Sequence, residues 1–119
     1  MEKIKKILIV EDDPVTRRIL TTLLSDIYEV AEAADGQDAL SKTDGVNLII
    51  CDFHMPNMTG QQFAEKISHK NIPFLMLTVD KNTMSADLAK KIGITGWLTK
   101  PFAPNALMLL VNEIFSKEY

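Results

Sequence analysis

Ile7-Leu8-Ile9-Val10 is continuously apolar and stops abruptly at Glu11-Asp12-Asp13. A strand with one face in water alternates apolar and polar residues, whereas a strand covered on both faces reads as an unbroken apolar run. The run is therefore expected to be an interior strand of a parallel sheet, with the acids just past its carboxyl end. The pattern returns at residues 46–51, apolar except for Asn47 and delivering Asp52 into a loop, and at Phe74-Leu75-Met76-Leu77, which ends at Thr78. Tyr28-Glu29-Val30-Ala31 is weaker and reads as an edge strand; Trp97-Leu98-Thr99 is the fifth strand and ends in Lys100-Pro101.

Helical segments fill the intervals. Asp13 before Pro14 reads as an N-cap and first helical residue, and Val15, Ile19, Leu20, Leu23, Leu24 and Ile27 then form one apolar stripe. Asp35-Gly36 reads as a turn before a short helix faced by Ala39-Leu40. Residues 53–59 are too rich in Pro, Asn and Gly-flanked turns for regular structure, and Phe63, Ala64 and Ile67 face the next helix. Leu88, Ala89 and Ile92 mark a fourth helix closed by Gly93, and a fifth from Pro104 is expected to bury Leu107, Leu110, Val111, Ile114 and Phe115.

Five strands alternating with five helices predict a doubly wound α/β sandwich of three layers around a parallel sheet. At 119 residues the chain matches one domain, residues 1–119 with no output module, and an eight-stranded barrel would need about twice the length. Thirteen basic against 16 acidic residues, net charge −3, disfavour nucleic-acid binding. The single Cys51 forbids an intramolecular disulfide and fits a reducing, cytoplasmic setting. The basic start, residues 1–6, precedes only four apolar residues, so it is no signal peptide, and no apolar run has the roughly 18 residues of a membrane span. The six methionines are expected to pack.

Strands of a parallel sheet end on one edge, so Glu11, Asp12, Asp52, Thr78 and Lys100 are expected to converge there, where open α/β sheets bind ligands. One acid after a strand is more readily a helix cap, but three acids from two strands, with Thr and Lys from two others, are not explained by capping. Two carboxylates about 4 Å apart repel by roughly 4 kcal/mol at an effective dielectric near 20. They must therefore protonate, pair with Lys100, or hold a cation, and an all-oxygen site suits Mg²⁺. His54 and His69 are isolated, without zinc spacing, and the first turn is acidic where a nucleotide fold places glycines. A carboxylate beside a hard cation, a Lys and a Thr hydroxyl is equipped to accept a phosphoryl group.

The segments Ile7-Leu8-Ile9-Val10-Glu11-Asp12-Asp13-Pro14, Asp52-Phe53-His54-Met55-Pro56-Asn57-Met58-Thr59-Gly60, Met76-Leu77-Thr78 and Gly96-Trp97-Leu98-Thr99-Lys100-Pro101-Phe102, in this order and spacing, resemble the receiver domain of two-component response regulators over the whole chain. The resemblance implies a flavodoxin-like (βα)5 fold with strand order 2-1-3-4-5. It also implies that Asp52 takes a phosphoryl group from a histidine kinase or histidine phosphotransfer protein. Mg²⁺, with Mn²⁺ as substitute, would be held by Asp12 directly, by Glu11 through water, by Asp52, and by the main-chain carbonyl of His54. Thr78 would bond the phosphoryl oxygen, Lys100 would pair with it, and Trp97 would be the aromatic switch. The Lys100–Pro101 bond would be cis.

Phosphorylation would change the surface of the fourth helix, fifth strand and fifth helix for a protein partner. The chain would be a monomer that phosphorylates and slowly dephosphorylates itself, not a turnover enzyme. Thr95-Gly96 stands where regulators with winged-helix output domains usually carry an acidic pair, so the chain looks more like stand-alone chemotaxis-type regulators. Val79 departs from the Ala or Gly usual after the threonine and is expected to crowd the donor's path. His54 and Asp80 occupy the positions that tune dephosphorylation in relatives. The alternatives are a phosphorelay intermediate, an interaction-only receiver, opposed by the intact Asp52, Thr78 and Lys100, and a haloacid-dehalogenase-type phosphatase, opposed by Glu11 at the nucleophile position.

Overall fold

The computed structural model describes residues 4–117, so residues 1–3 of the basic start lie outside the described residues. In chain order the elements are β1 (Lys6–Val10), α1 (Pro14–Leu24), β2 (Glu29–Ala33), α2 (Gly36–Leu40), β3 (Leu48–Asp52) and α3 (Gly60–Ile67). A 3-10 turn at Ser68–Lys70 follows, then β4 (Phe74–Thr78), α4 (Ala86–Ile92), β5 (Gly96–Thr99) and α5 (Pro104–Ser116). All pairings are parallel and the order is β2-β1-β3-β4-β5, the expected one.

The unbroken apolar runs are explained by two cores on opposite faces of the sheet. Successive strand side chains point to opposite faces, so Ile7, Ile9, Leu48, Ile50, Leu75 and Leu77 pack with Leu20 and Leu24 of α1 and Leu107, Val111 and Ile114 of α5. Leu8, Val10, Ile49, Cys51, Phe74 and Met76 face the other way, toward Phe63, Ala64 and Ile67 of α3 and Ala89 and Ile92 of α4. Every residue of β3 and β4 is buried, whereas β2 is largely accessible, as an edge strand is. Cys51 is fully buried, and Met55, Met58, Met76 and Met84 are in the core, which agrees with the packing role expected for them.

Local chemistry sets the helix ends. Asp13 caps α1 by accepting the Thr16 N–H, and Thr59 and Gln62 form a reciprocal capping box on α3. Gly93 ends α4 with φ of 80°, a left-handed conformation that glycine adopts without Cβ strain.

Five expectations are corrected. Val15, Ile19 and Ile27 are not core residues: they are 66%, 52% and 58% exposed. At about 100° per residue, the Val15–Ile19 row is rotated away from the Leu20–Leu24 row that meets the sheet, and Ile27 lies beyond the helix end. Asp35-Gly36 is not a free turn, because Asp35 caps α2 and Gly36 is its first residue. Asp52 ends β3 rather than entering the loop, and β2 runs to Ala33 because Glu32 and Ala33 pair with Ile9 and Val10. Leu110 and Phe115 are half-buried, at the margin of the α5 contact.

The two rows of α1 should respond differently to truncation. Leu20→Ala is expected to lower the unfolding free energy by about 2–5 kcal/mol, and Ile19→Ala to change it by less than about 0.5 kcal/mol. Urea unfolding of both variants measures this, and equal losses would contradict the described packing of α1.

Candidate functional site

Glu11 follows β1 directly, and its N–H donates to the Ala33 carbonyl at 3.1 Å. Asp52 is paired in register with Leu77, the residue before Thr78. One carboxylate oxygen each from Glu11, Asp12 and Asp52 lie within 4.8 Å of one another, Glu11 and Asp52 buried and Asp12 exposed. Lys100 reaches in from the end of β5, where its N–H donates to the Thr78 carbonyl at 2.7 Å, and the Lys100–Pro101 bond is cis. Its Nζ lies 2.8 Å from Glu11 Oε1 and 3.1 Å from Asp52 Oδ1, so it bridges two carboxylates.

Burial pushes the Glu11 carboxyl up to about 7 from 4.5, against the lowering effect of its hydrogen bond from Lys100, and the Asp52 charge adds to the rise. Burial alone would lower the Lys100 ammonium, but Glu11 and Asp52 together raise it. Lys100 therefore stays charged, and Glu11 is the group whose proton adjusts. Three carboxyl groups share this edge with one ammonium, and such a cluster of oxygen donors fits a hard divalent cation such as Mg²⁺ or Mn²⁺.

The main chain after Asp52 is approached closely by Gly60, the first residue of α3, whose N–H donates to the Phe53 carbonyl at 2.8 Å. A Cβ there would stand 2.9 Å from Phe53 Cα and 2.8 Å from Met76 Sδ, and closer still to the Asp52 carbonyl oxygen. Only glycine lets α3 begin against the end of β3.

Thr78 is fully buried at the same edge, but its hydroxyl is engaged by its own loop: it accepts the Asp80 N–H at 3.2 Å and donates to the Asp80 carbonyl at 3.4 Å. His54 is exposed, with its ring edge-on to Phe53 at 4.9 Å. Trp97 is half-buried on β5 against the core under α3 and α4. Val79 is 64% exposed and, with Ile19, Leu23, Pro101, Phe102 and Pro104, lines an apolar groove of about 410 Å³ that reaches Lys100. A wider groove of about 570 Å³ along α1 contains none of the three acids. The converging charges, not the volume of a groove, locate the site.

Gly60 stands in the sequence as the end of the segment that begins at Asp52, without its close approach being legible there. Arg17 had no clear signal: on a stretch of helix with another arginine beside it, it turns inward, its Nη1 donating to the Glu11 carbonyl at 2.6 Å and its Nε lying 3.2 Å from Glu32 Oε1.

The family model for the response regulator receiver domain matches residues 7–112. The chain belongs to the response regulator receiver family. Receiver domains are signalling proteins of two-component systems and bind Mg²⁺ through acidic residues. The chain is 29% identical over 118 residues to a chemotaxis protein CheY homolog of Campylobacter jejuni, covering 92% of this chain and 91% of that protein. It is 32% identical over 117 residues to the probable transcriptional regulator ycf27 of Porphyridium aerugineum, covering 95% of this chain and 49% of that protein, so it spans about half the length of such regulators.

Among solved structures, the chemotaxis response regulator CheY4 of Vibrio cholerae superposes with a TM-score of 0.86 at 36% identity, covering 94% of this chain and 99% of that one. A CheY-like receiver domain protein from Methanospirillum hungatei gives a TM-score of 0.87 at 26% identity, covering 97% and 96%. The flavodoxin-like (βα)5 fold with order 2-1-3-4-5 is thereby established. No helix among the described residues is long and apolar enough to cross a membrane.

The displaced Glu11 carboxyl has a pH signature. Between about pH 4.5 and 7 the unfolded chain has released this proton while the native chain keeps it. The native state then binds more protons, so stability falls as pH rises through that window. In EDTA, the urea midpoint of the wild type is expected to drop relative to that of Glu11→Gln between pH 5 and 7.5. A pH-independent difference between the two would contradict the shift.

Proposed function

We propose that this receiver domain accepts a phosphoryl group on Asp52 from a histidine kinase or histidine phosphotransfer protein, and that occupancy alters the α4–β5–α5 surface for a downstream protein. The observation that carries this reading is the buried Asp52 carboxylate, bridged by Lys100 to Glu11 within a three-acid cluster at the sheet edge. Mg²⁺, or Mn²⁺ in its place, held by Glu11, Asp12, Asp52 and the main-chain carbonyl of His54, would supply charge compensation for the transferring group.

An Asp52 carboxylate oxygen attacks phosphorus in line. The new P–O bond forms as the donor's P–N bond breaks, and that electron pair returns to the donor imidazole. Lys100, already 3.1 Å from Asp52, offsets charge on the phosphoryl oxygens. The Thr78 hydroxyl must leave Asp80 to bond them, which links occupancy to the loop before α4. Trp97 then shifts toward a more buried rotamer as a population shift between two states.

The apolar groove beside Lys100 favours a protein donor over a small acyl phosphate, because exposed Ile19 and Val79 gain burial only against a partner surface. Val79 at its mouth, with His54 and Asp80, sets the rate of phosphoryl gain and loss. The domain works as a cytoplasmic monomer in chemotaxis or flagellar control, and its similarity to a chemotaxis protein CheY homolog supports the chemotaxis role. It performs this reaction on itself and does not turn over external substrates.

Acetyl phosphate with Mg²⁺ is expected to give a base-labile phosphate adduct by mass spectrometry, stoichiometric with the chain and absent in Asp52→Asn, which stays folded because the amide is isosteric. Wild-type labelling of that variant would sink the assignment. A beryllofluoride titration with Mg²⁺ is expected to change Trp97 emission or its quenching by acrylamide. An unchanged signal with Asp52 occupied would remove Trp97 from the switch.

A further inference from the structure

We propose that Arg17 is a positioning residue for the metal-binding turn, holding Glu11 and Asp12 through the Glu11 main chain while tethered to Glu32 on the edge strand. This rests on the reading of Glu11 and Asp12 as Mg²⁺ ligands. Arg17 lies in the second turn of α1 with its side chain 21% exposed, its Nη1 donating to the Glu11 carbonyl at 2.6 Å and its Nε 3.2 Å from Glu32 Oε1. Glu32 is itself fixed, paired in register with Ile9 and with its carbonyl accepting from Lys42 Nζ at 2.8 Å. The planar guanidinium fork thus spans from β2 to the turn that carries two of the three acids.

The other side-chain restraints on that turn act on different atoms. Lys100 Nζ donates to Glu11 Oε1 at 2.8 Å and the Asp13 N–H donates to Glu11 Oε2 at 3.2 Å. Both use the carboxylate oxygens with which Glu11 would serve a cation, directly or through water. Cation binding therefore competes with those two restraints, whereas Arg17 bonds only the carbonyl and restrains the turn equally with and without the ion. Its charge acts in the opposite sense, because a guanidinium beside the carboxylates disfavours a further cation. The sign of the effect on Mg²⁺ affinity then separates positioning from simple electrostatics.

The test is calorimetric titration of the full chain with Mg²⁺, without phosphodonor. Outer partners of metal ligands typically contribute about 10–100-fold in affinity, and Arg17→Met is expected to weaken Mg²⁺ binding about tenfold. Arg17→Lys keeps the charge but offers one nitrogen in place of the fork, and is expected to weaken binding by at least about threefold. At saturating Mg²⁺ the rate of Asp52 labelling by acetyl phosphate in Arg17→Met should return to within about twofold of wild type, a split that general loss of structure would not produce. Equal or tighter Mg²⁺ binding by Arg17→Met overturns the proposal. If that variant does not fold, Arg17→Lys decides, and wild-type affinity overturns it. A wild-type chain that takes up no Mg²⁺ overturns the metal reading itself, an outcome distinct from wild type and variant binding alike.

Discussion

Carboxylates held together at the end of a buried sheet repel one another, and the ammonium of Lys100 between Glu11 and Asp52 is the interaction that lets this molecule hold them. Each close pair contributes roughly 4 kcal/mol of repulsion at an effective dielectric near 20. A domain of this kind has only about 5–15 kcal/mol of net stability, so two uncompensated pairs would consume much of it. Lys100 offsets part, and the raised Glu11 carboxyl absorbs more by retaining its proton near neutrality. Three acids still outnumber one ammonium at this edge, so charge is the controlling quantity of the site.

The sheet makes that arrangement tolerable. Because β1, β3 and β4 bury apolar side chains on both faces, the strand ends are fixed in space before any polar group is considered. Asp52 ends its strand between two interior neighbours, and Gly60 allows α3 to start against its carbonyl. The main chain at Asp52 cannot shift without disturbing core packing. Apolar burial therefore holds charges where electrostatics alone would not place them.

Much of this was legible in the sequence because interior parallel strands leave an unbroken apolar signature, and residues just past such strands must share an edge. Asp52, Thr78, Lys100 and the Glu11-Asp12 pair all emerged in that way. The exposed Val15 and Ile19 did not, since helical spacing identifies an apolar stripe without saying whether sheet or partner covers it. Arg17 was hidden for a related reason: a helical arginine looks like a solvated charge until the edge strand brings Glu32 beside it. Asp35 was misread because a capping aspartate followed by glycine has the composition of a turn, and only the Asp38 N–H at 2.8 Å identifies it as a helix start.

The groups at the site divide into those the fold holds and those it leaves able to change partner. Asp52 ends a strand buried along its whole length, and Glu11 is tied through its main chain to Ala33 and Arg17. The Thr78 hydroxyl, by contrast, is satisfied among the described residues by Asp80 in its own loop, at 3.2 and 3.4 Å, and Lys100 is shared between two acids. At 3.4 Å the contact the hydroxyl donates is longer than the roughly 2.5–3.0 Å of an ordinary O–H···O hydrogen bond, so exchanging Asp80 for a phosphoryl oxygen would replace a weak contact by a charge-assisted one. A ligand shifts an equilibrium only by its differential interaction with the two states, and on the proposed reading that difference would be concentrated at Thr78 and Lys100, the residues that β4 and β5 deliver beside the three acids.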